Sequence, residues 1–211
     1  MARGRLITIE GLDGAGKTTL AATLLYELRA RGVDIEPLRE PGGVVIAEKI
    51  RTLVKDPEMT IGPRAEALLY AAARAQLVEE ALEPVLSRGT WVLLDRFVDS
   101  SLAYQGAGRG LGIDVVKAIN EFGTGGLAPD RTLLLEIDPA LGRVRQGSRL
   151  EGFDRLEREE ESFFATIAAA YSEIADAEPE RVRRINASWG ADEVAEAALV
   201  EVEDLLPARA G

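Results

Sequence analysis

Neither cysteine nor histidine occurs among the 211 residues. Their absence excludes a disulfide framework, thiol nucleophiles, zinc sites of the usual kinds and histidine acid–base chemistry. Whatever the chain does chemically must come from carboxylates, arginines, lysine, hydroxyls and a bound metal. No run approaches the roughly 20 apolar residues of a membrane span, and no apolar N-terminal segment follows a basic region, so the cytoplasm is the expected location. Positive charge is in deficit. The net charge of −11 argues against a nucleic-acid polymer as partner, because affinity for one comes from neutralising many phosphates. A small phosphorylated ligand needs only a local concentration of cations. Repeats, low-complexity tracts and linkers are also missing. With 46% hydrophobic residues, residues 1–211 are expected to form one domain with a proper core.

What is present begins with LITIEGLDGAGKTTL, residues 6–20. A short apolar run stops at Glu10, and Gly11, Gly14, Gly16, Lys17 and Thr18 then fit GxxxxGK[ST]. A triphosphate crowds negative charge into a small volume, so backbone N–H groups must wrap inward, which side chains would obstruct and glycine permits. Lys17 then supplies a point charge to the outer phosphates, and the Thr18 hydroxyl suits magnesium. The context fits, since Leu6 to Ile9 reads as a buried parallel strand and Thr19 to Ala30 carries leucines at helical spacing.

Further along, Val33 to Leu38 reads as a second strand closed by Arg39-Glu40-Pro41-Gly42-Gly43, and helical pattern covers Ile46 to Val54 and Arg64 to Ser87. Trp91 to Leu94 is a strand ending in Asp95-Arg96, the form that delivers an acidic residue to the carboxyl edge of a sheet. A short helix is expected over Ser100 to Tyr104, a loop over the GAGRG of residues 106–110, and a helix over Ile113 to Phe122. Leu133 to Ile137 is a fourth strand, and Asp138-Pro139 starts a helix. Residues 146–154, polar and arginine-bearing, read as a mobile lid. A helix from Leu156 to Ala177, a strand over Val182 to Ile185 and a helix from Asp192 to Leu206 complete the chain. Five strands alternating with helices imply an α/β fold, a five-stranded parallel sheet flanked by helices on both faces, with ligands at its carboxyl edge.

Nucleotide binding alone leaves the acceptor open. No NKxD motif for guanine occurs and no ABC-type signature is visible. Arginine greatly outnumbers lysine, a bias attributed mostly to genomic composition or thermal adaptation, so only arginines at motif positions carry weight. EGLDGAGKTT (10–19), REPGG (39–43), YAAARAQ (70–76), DRF (95–97) and SSLAYQGAGRG (100–110) together resemble thymidylate kinase of the bacterial type, along essentially the whole chain.

The resemblance implies a three-layer P-loop kinase fold with a short lid, transfer of the γ-phosphoryl of ATP to dTMP with Mg2+, and a homodimer. Gly11, Leu12, Asp13, Gly14, Ala15, Gly16, Lys17, Thr18, Thr19 and Arg143 would bind ATP, with Thr18 and Asp95 as metal ligands. Arg39 and Arg96 would hold the dTMP phosphate, as two guanidinium forks can grip a dianion bidentately. Tyr70, where the family commonly has phenylalanine, would stack on thymine. Arg74, one helical turn later, would donate to its O4. Ser101 would reach N3, Tyr104 would sit beneath the sugar and exclude a ribose 2′-hydroxyl, Gln105 would add a contact, and Asp13 would take the 3′-hydroxyl. Ala15 leaves the P-loop without an arginine, so Arg149, with Arg145 or Arg143 as alternatives, would close over the triphosphate beside Lys17 and Arg96 as catalytic groups. Phe97 stands where the family often has His or Tyr, which removes one polar group from the site. A kinase of another nucleoside monophosphate or of a deoxynucleoside, or a nucleotide-binding switch without efficient transfer, are the rival readings.

Overall fold

The computed structural model describes residues 3–147 and 154–206. Its sheet is built from β1 (Leu6–Gly11), β2 (Ile35–Arg39), β3 (Trp91–Asp95), β4 (Arg131–Glu136) and β5 (Val182–Asn186), all parallel, in the order β2-β3-β1-β4-β5. Every residue of β1 is buried, as expected for a central strand covered on both faces. The pleat then divides its side chains. Ile7 and Ile9 pack in the core that includes Leu20, Leu24 and Leu28 of α1 (Lys17–Ala30), while Leu6 joins Val92, Leu94 and the helix residues Leu77, Leu82 and Leu86. Thr8 and Glu10 share the face of Leu6 and are fully buried polar groups.

After β2 come α2 (Val45–Lys55) and α3 (Pro63–Leu77), the latter continuing through a π-helical turn, Val78–Leu82, into α4 (Glu83–Ser87). The continuous rod from Pro63 to Ser87 matches the helical pattern in the sequence. Downstream lie α5 (Val98–Ser101), α6 (Ile113–Thr124), α7 (Pro139–Gly147), α8 (Glu161–Ala177) and α9 (Ala191–Val200), with a final 3-10 turn at Glu203–Leu205. Among the described residues no helix is long and apolar enough to cross a membrane.

Three sequence expectations are corrected. The loop assigned to GAGRG is helical through Gly108, because α5 runs on as a wide π-helical stretch over Leu102–Gly108. Gly108 is there for packing, since a Cβ on it would meet the Phe163 ring of α8 at 2.7 Å. The helix expected from Leu156 begins at Glu161, since residues 154–159 are held in turns by Arg155, whose backbone N–H donates to the Lys55 carbonyl and whose side chain donates to the Val54 carbonyl. The last helix stops at Val200 rather than Leu206. Of the expected lid, Gln146 and Gly147 belong to α7, and residues 148–153 lie outside the described residues.

Candidate active site

The carboxyl ends of β1, β2 and β3 open onto a cavity of about 550 Å³. Its floor is the glycine-rich turn between β1 and α1. Gly14 (φ 83°) and Gly16 (φ 95°) take left-handed conformations that suit glycine. At Gly14 a side chain is doubly excluded, because a Cβ would lie 2.2 Å from the Gly142 carbonyl oxygen of α7. Lys17 folds back to donate to the carbonyls of Gly11 (3.1 Å) and Leu12 (2.8 Å) and lies 3.7 Å from Asp13. Burial, reinforced by the Arg96 guanidinium, pushes its ammonium down to about 8. Thr18 and Thr19 stand exposed at the α1 N-terminus, where unpaired N–H groups and the helix dipole favour anions.

Arg96 projects from the end of β3. Its guanidinium donates to Asp13 (2.6 Å), the Gly11 carbonyl (3.1 Å) and Ser100 Oγ (3.1 Å), and it lies over the Tyr104 ring at 5.3 Å. The Tyr104 hydroxyl donates to the other Asp13 oxygen at 3.3 Å. Burial alone would raise the Asp13 carboxyl, but Arg96 and Lys17 outweigh it and hold Asp13 well below the usual carboxylate range. Beside this cluster, Asp95 keeps one buried carboxylate oxygen without a hydrogen-bond partner. That orphaned oxygen and the Thr18 hydroxyl are hard donors of the kind Mg2+ takes alongside water and phosphate oxygens.

The other wall comes from β2, α3 and the stretch after β3. Arg39 is 55% exposed and pairs with Glu48 of α2 at 2.8 Å; the same carboxylate oxygen accepts the Gly43 N–H, tying the REPGG loop to that helix. Tyr70 is half-buried and lines the cavity. Arg74, 2% exposed, donates to Glu40, Ser101, Asn120 and the Phe97 carbonyl. Four of its five N–H groups thereby donate within the protein, which leaves at most one for a base contact unless a bond is shared. Phe97, the departure noted in the sequence, is fully buried among Leu6 and Leu94, its ring beneath the Arg74 guanidinium at 5.4 Å. Gln105 is fixed by its side-chain N–H donating to Glu66 at 3.0 Å.

Of the residues singled out in the sequence, Asp13, Gly14, Gly16, Lys17, Thr18 and Thr19 line this cavity together with Arg39, Tyr70, Arg74, Asp95, Arg96, Ser101, Tyr104 and Gln105. Ala15 is buried beneath the loop, and Gly11 and Leu12 instead border a second cavity of about 480 Å³ at the ends of β4 and β5. Arg143 and Arg145 are not among the residues lining the first cavity, although Arg143 donates to the carbonyl of Glu157, which does line it, at 2.7 Å; Arg145 donates to the Ala187 carbonyl at 2.7 Å. Arg149 lies outside the described residues. Missed from sequence are Leu38 and Pro41, Arg51 and Lys55 of α2, and Asp154, Leu156 and Glu157, all of which line the cavity. The i, i+4 spacing of Arg51 and Lys55, placing both cations on one helical face, is the signal that was available. Nothing local marks Glu66, fully buried and receiving hydrogen bonds from Gln105 and Arg109 and an ion pair from Arg155 at 2.6 Å.

One cavity thus brings together the glycine-rich turn with Lys17, the guanidinium groups of Arg39, Arg51, Arg74 and Arg96, and the ring of Tyr70. A family model described as thymidylate kinase matches residues 9–198. The chain is 46% identical to the thymidylate kinase of Halorhodospira halophila over 208 residues, covering 97% of this chain and 96% of the relative. To the thymidylate kinase of Deinococcus radiodurans it is 47% identical over 194 residues, 92% of this chain and 94% of the relative. To that of Lactobacillus delbrueckii subsp. bulgaricus it is 46% identical over 212 residues, 97% and 98% of the two chains.

Proposed function

Since the chain belongs to the thymidylate kinase family, we propose that it transfers the γ-phosphoryl group of ATP to the phosphate of dTMP, releasing ADP and dTDP. The observation that carries the reading is the convergence of Lys17, Arg39, Arg96 and Tyr70 on one cavity. An oxygen of the dTMP phosphate attacks the γ-phosphorus while the bond from that phosphorus to the bridging β oxygen breaks. No strong base is needed, because a phosphate monoester with a second pKa of about 6 is already mostly dianionic at neutral pH. What remains is positioning and charge neutralisation.

Arg39 and Arg96 grip the acceptor phosphate, with Arg51 and Lys55 adding positive charge to the same wall. Tyr70 stacks on the thymine, Ser101, Gln105 and Arg74 face its polar edge, Tyr104 underlies the sugar, and Asp13 accepts from the 3′-hydroxyl. Lys17 and the P-loop N–H groups hold the triphosphate. Thr18 and Asp95 would hold Mg2+, which would supply neutralisation of the triphosphate's negative charge. A further arginine, Arg149 before Arg145 or Arg143, would neutralise charge on the transferring phosphate. The whole chain acts as a single kinase domain of the cytoplasm. Exposed Leu68 on α3 and Val115 and Phe122 on α6 support pairing of two copies into a homodimer.

A coupled assay of ADP release with ATP and dTMP, dUMP, dCMP, dGMP, AMP or thymidine tests the reading. Turnover with dTMP far above the rest is expected. Turnover confined to AMP or to unphosphorylated thymidine sinks it, and hydrolysis indifferent to acceptor favours the nucleotide switch.

A further inference from the structure

Arg96 is the one non-glycine residue with a positive φ among the described residues, at 71°. A side chain in that region is unfavourable, so the surroundings must over-determine it. Backbone bonds hold it from both sides. The Arg96 N–H donates to the Ile9 carbonyl at 3.0 Å, and the next N–H, that of Phe97, donates to Glu10 Oε1 at 2.7 Å. Glu10 has no exposed surface and is not among the residues lining the cavity. A carboxylate this deep is unfavourable unless its oxygens are filled, and they are. Oε1 also accepts the Ser100 N–H at 3.3 Å; Oε2 accepts the Ser100 hydroxyl at 2.6 Å and the Tyr171 hydroxyl at 2.9 Å. Ser100 Oγ in turn accepts from the Arg96 guanidinium. Glu10 therefore grips Arg96 twice, through the peptide that follows it and through the hydroxyl on which its fork rests.

We propose that Glu10 is a positioning residue for phosphoryl transfer, fixing the left-handed turn that aims the Arg96 guanidinium at the acceptor phosphate. The inference rests on the dTMP kinase reading for its kinetic consequence but not for its geometric one. Glu10 touches neither nucleotide. A merely structural role, satisfying the N–H groups at the start of α5, predicts loss of stability alone, whereas a positioning role predicts a defect confined to the acceptor.

The test compares Glu10→Ala, Glu10→Gln and Tyr171→Phe in the full chain with Thr132→Val. Thr132 lies on the same sheet face, bonded to Thr8, Asp99 and Arg181, and does not reach Arg96. In Glu10→Ala, kcat/KM for dTMP falls about a hundredfold while KM for ATP stays within about twofold. Glu10→Gln recovers most of the loss, because its amide oxygen can accept both backbone N–H groups while the hydroxyls turn to accept from its NH2. Tyr171→Phe, losing one of four donors, lowers kcat/KM for dTMP about threefold to tenfold. Thr132→Val melts earlier with acceptor kinetics unchanged. Acceptor kinetics in the Glu10 and Tyr171 variants that stay at wild type, or ATP and dTMP constants that fail together, overturn the proposal. A crystal structure of the Glu10→Ala or, if that chain does not fold, the Glu10→Gln variant decides independently of turnover. In Glu10→Ala, Arg96 leaves positive φ and loses its bond to Asp13, whereas in Glu10→Gln both persist; an unmoved Arg96 in the alanine variant, or a displaced one in the glutamine variant, overturns the proposal. Absence of dTMP turnover in the wild type counts against the assigned reaction, and the structural comparison still decides whether Glu10 holds Arg96.

Discussion

Individual side chains set both the chemistry and its vulnerability. Arg74 is 2% exposed and Glu40 keeps one buried oxygen without a partner even while paired, so removing the guanidinium leaves a buried carboxylate uncompensated. Arg74→Met is expected to destabilise the chain by about 3–5 kcal/mol in urea denaturation; a loss under about 1 kcal/mol means that Glu40 relaxes to solvent. Lys17 sets a pH dependence with two opposite signs. Burial first, and Arg96 second, bring its ammonium from an ordinary 10.5 to about 8. Between those values the unfolded chain holds the extra proton, so this group's contribution to stability rises with pH from about 8 to 10.5 and is a constant penalty below. Activity runs the other way. With limiting ATP, kcat/KM should decline above about pH 8, and saturating ATP should move the decline upward because bound phosphates retain the proton. A flat profile through pH 9.5 at limiting ATP, a point inside that window, removes Lys17 from triphosphate binding.

Secondary-structure elements explain what sequence alone conveyed. The apolar runs of β1 and β3 and the glycines between β1 and α1 are local signals, and the cavity forms where those strand ends meet. Long-range requirements were hidden. Gly106 and Gly108 read as loop because a glycine that admits a neighbouring helix looks, one residue at a time, like a glycine that turns the chain. The engaged donors of Arg74 depend on β2, α5 and α6 arriving together, and Arg145 turns to the Ala187 carbonyl beyond β5. Glu66 and Glu10 are single carboxylates among 36 acidic residues, distinguished only by what folds around them. Contact between the P-loop and α7 gives an element-level test. Gly14→Ala forces a Cβ to 2.2 Å from the Gly142 oxygen at φ 83°, so the loop must leave α7. A loss of about 2–4 kcal/mol in thermal unfolding and at least a tenfold rise in KM for ATP are expected. An unchanged KM for ATP means the loop tolerates the separation.

At the scale of the whole molecule, assembly and fold stability govern what the site can do. Phe122 is 93% exposed on α6, and if the chain pairs as proposed, burial of this ring makes it an anchor of the interface. Phe122→Asp is expected to weaken self-association at least a hundredfold in sedimentation equilibrium, and an unchanged association constant places the interface elsewhere. The strand order ranks the two halves of the cavity by resistance to local opening. β1, between β3 and β4, leads into the glycine-rich turn and Lys17, whereas β2 is an edge strand with three of its five residues exposed and ends in Arg39. Native-state hydrogen exchange should therefore release the β2 amides well before those of Ile7–Ile9, which open only with the global transition. If Arg39 holds the acceptor phosphate as proposed, destabilising conditions loosen the grip on dTMP before the grip on ATP.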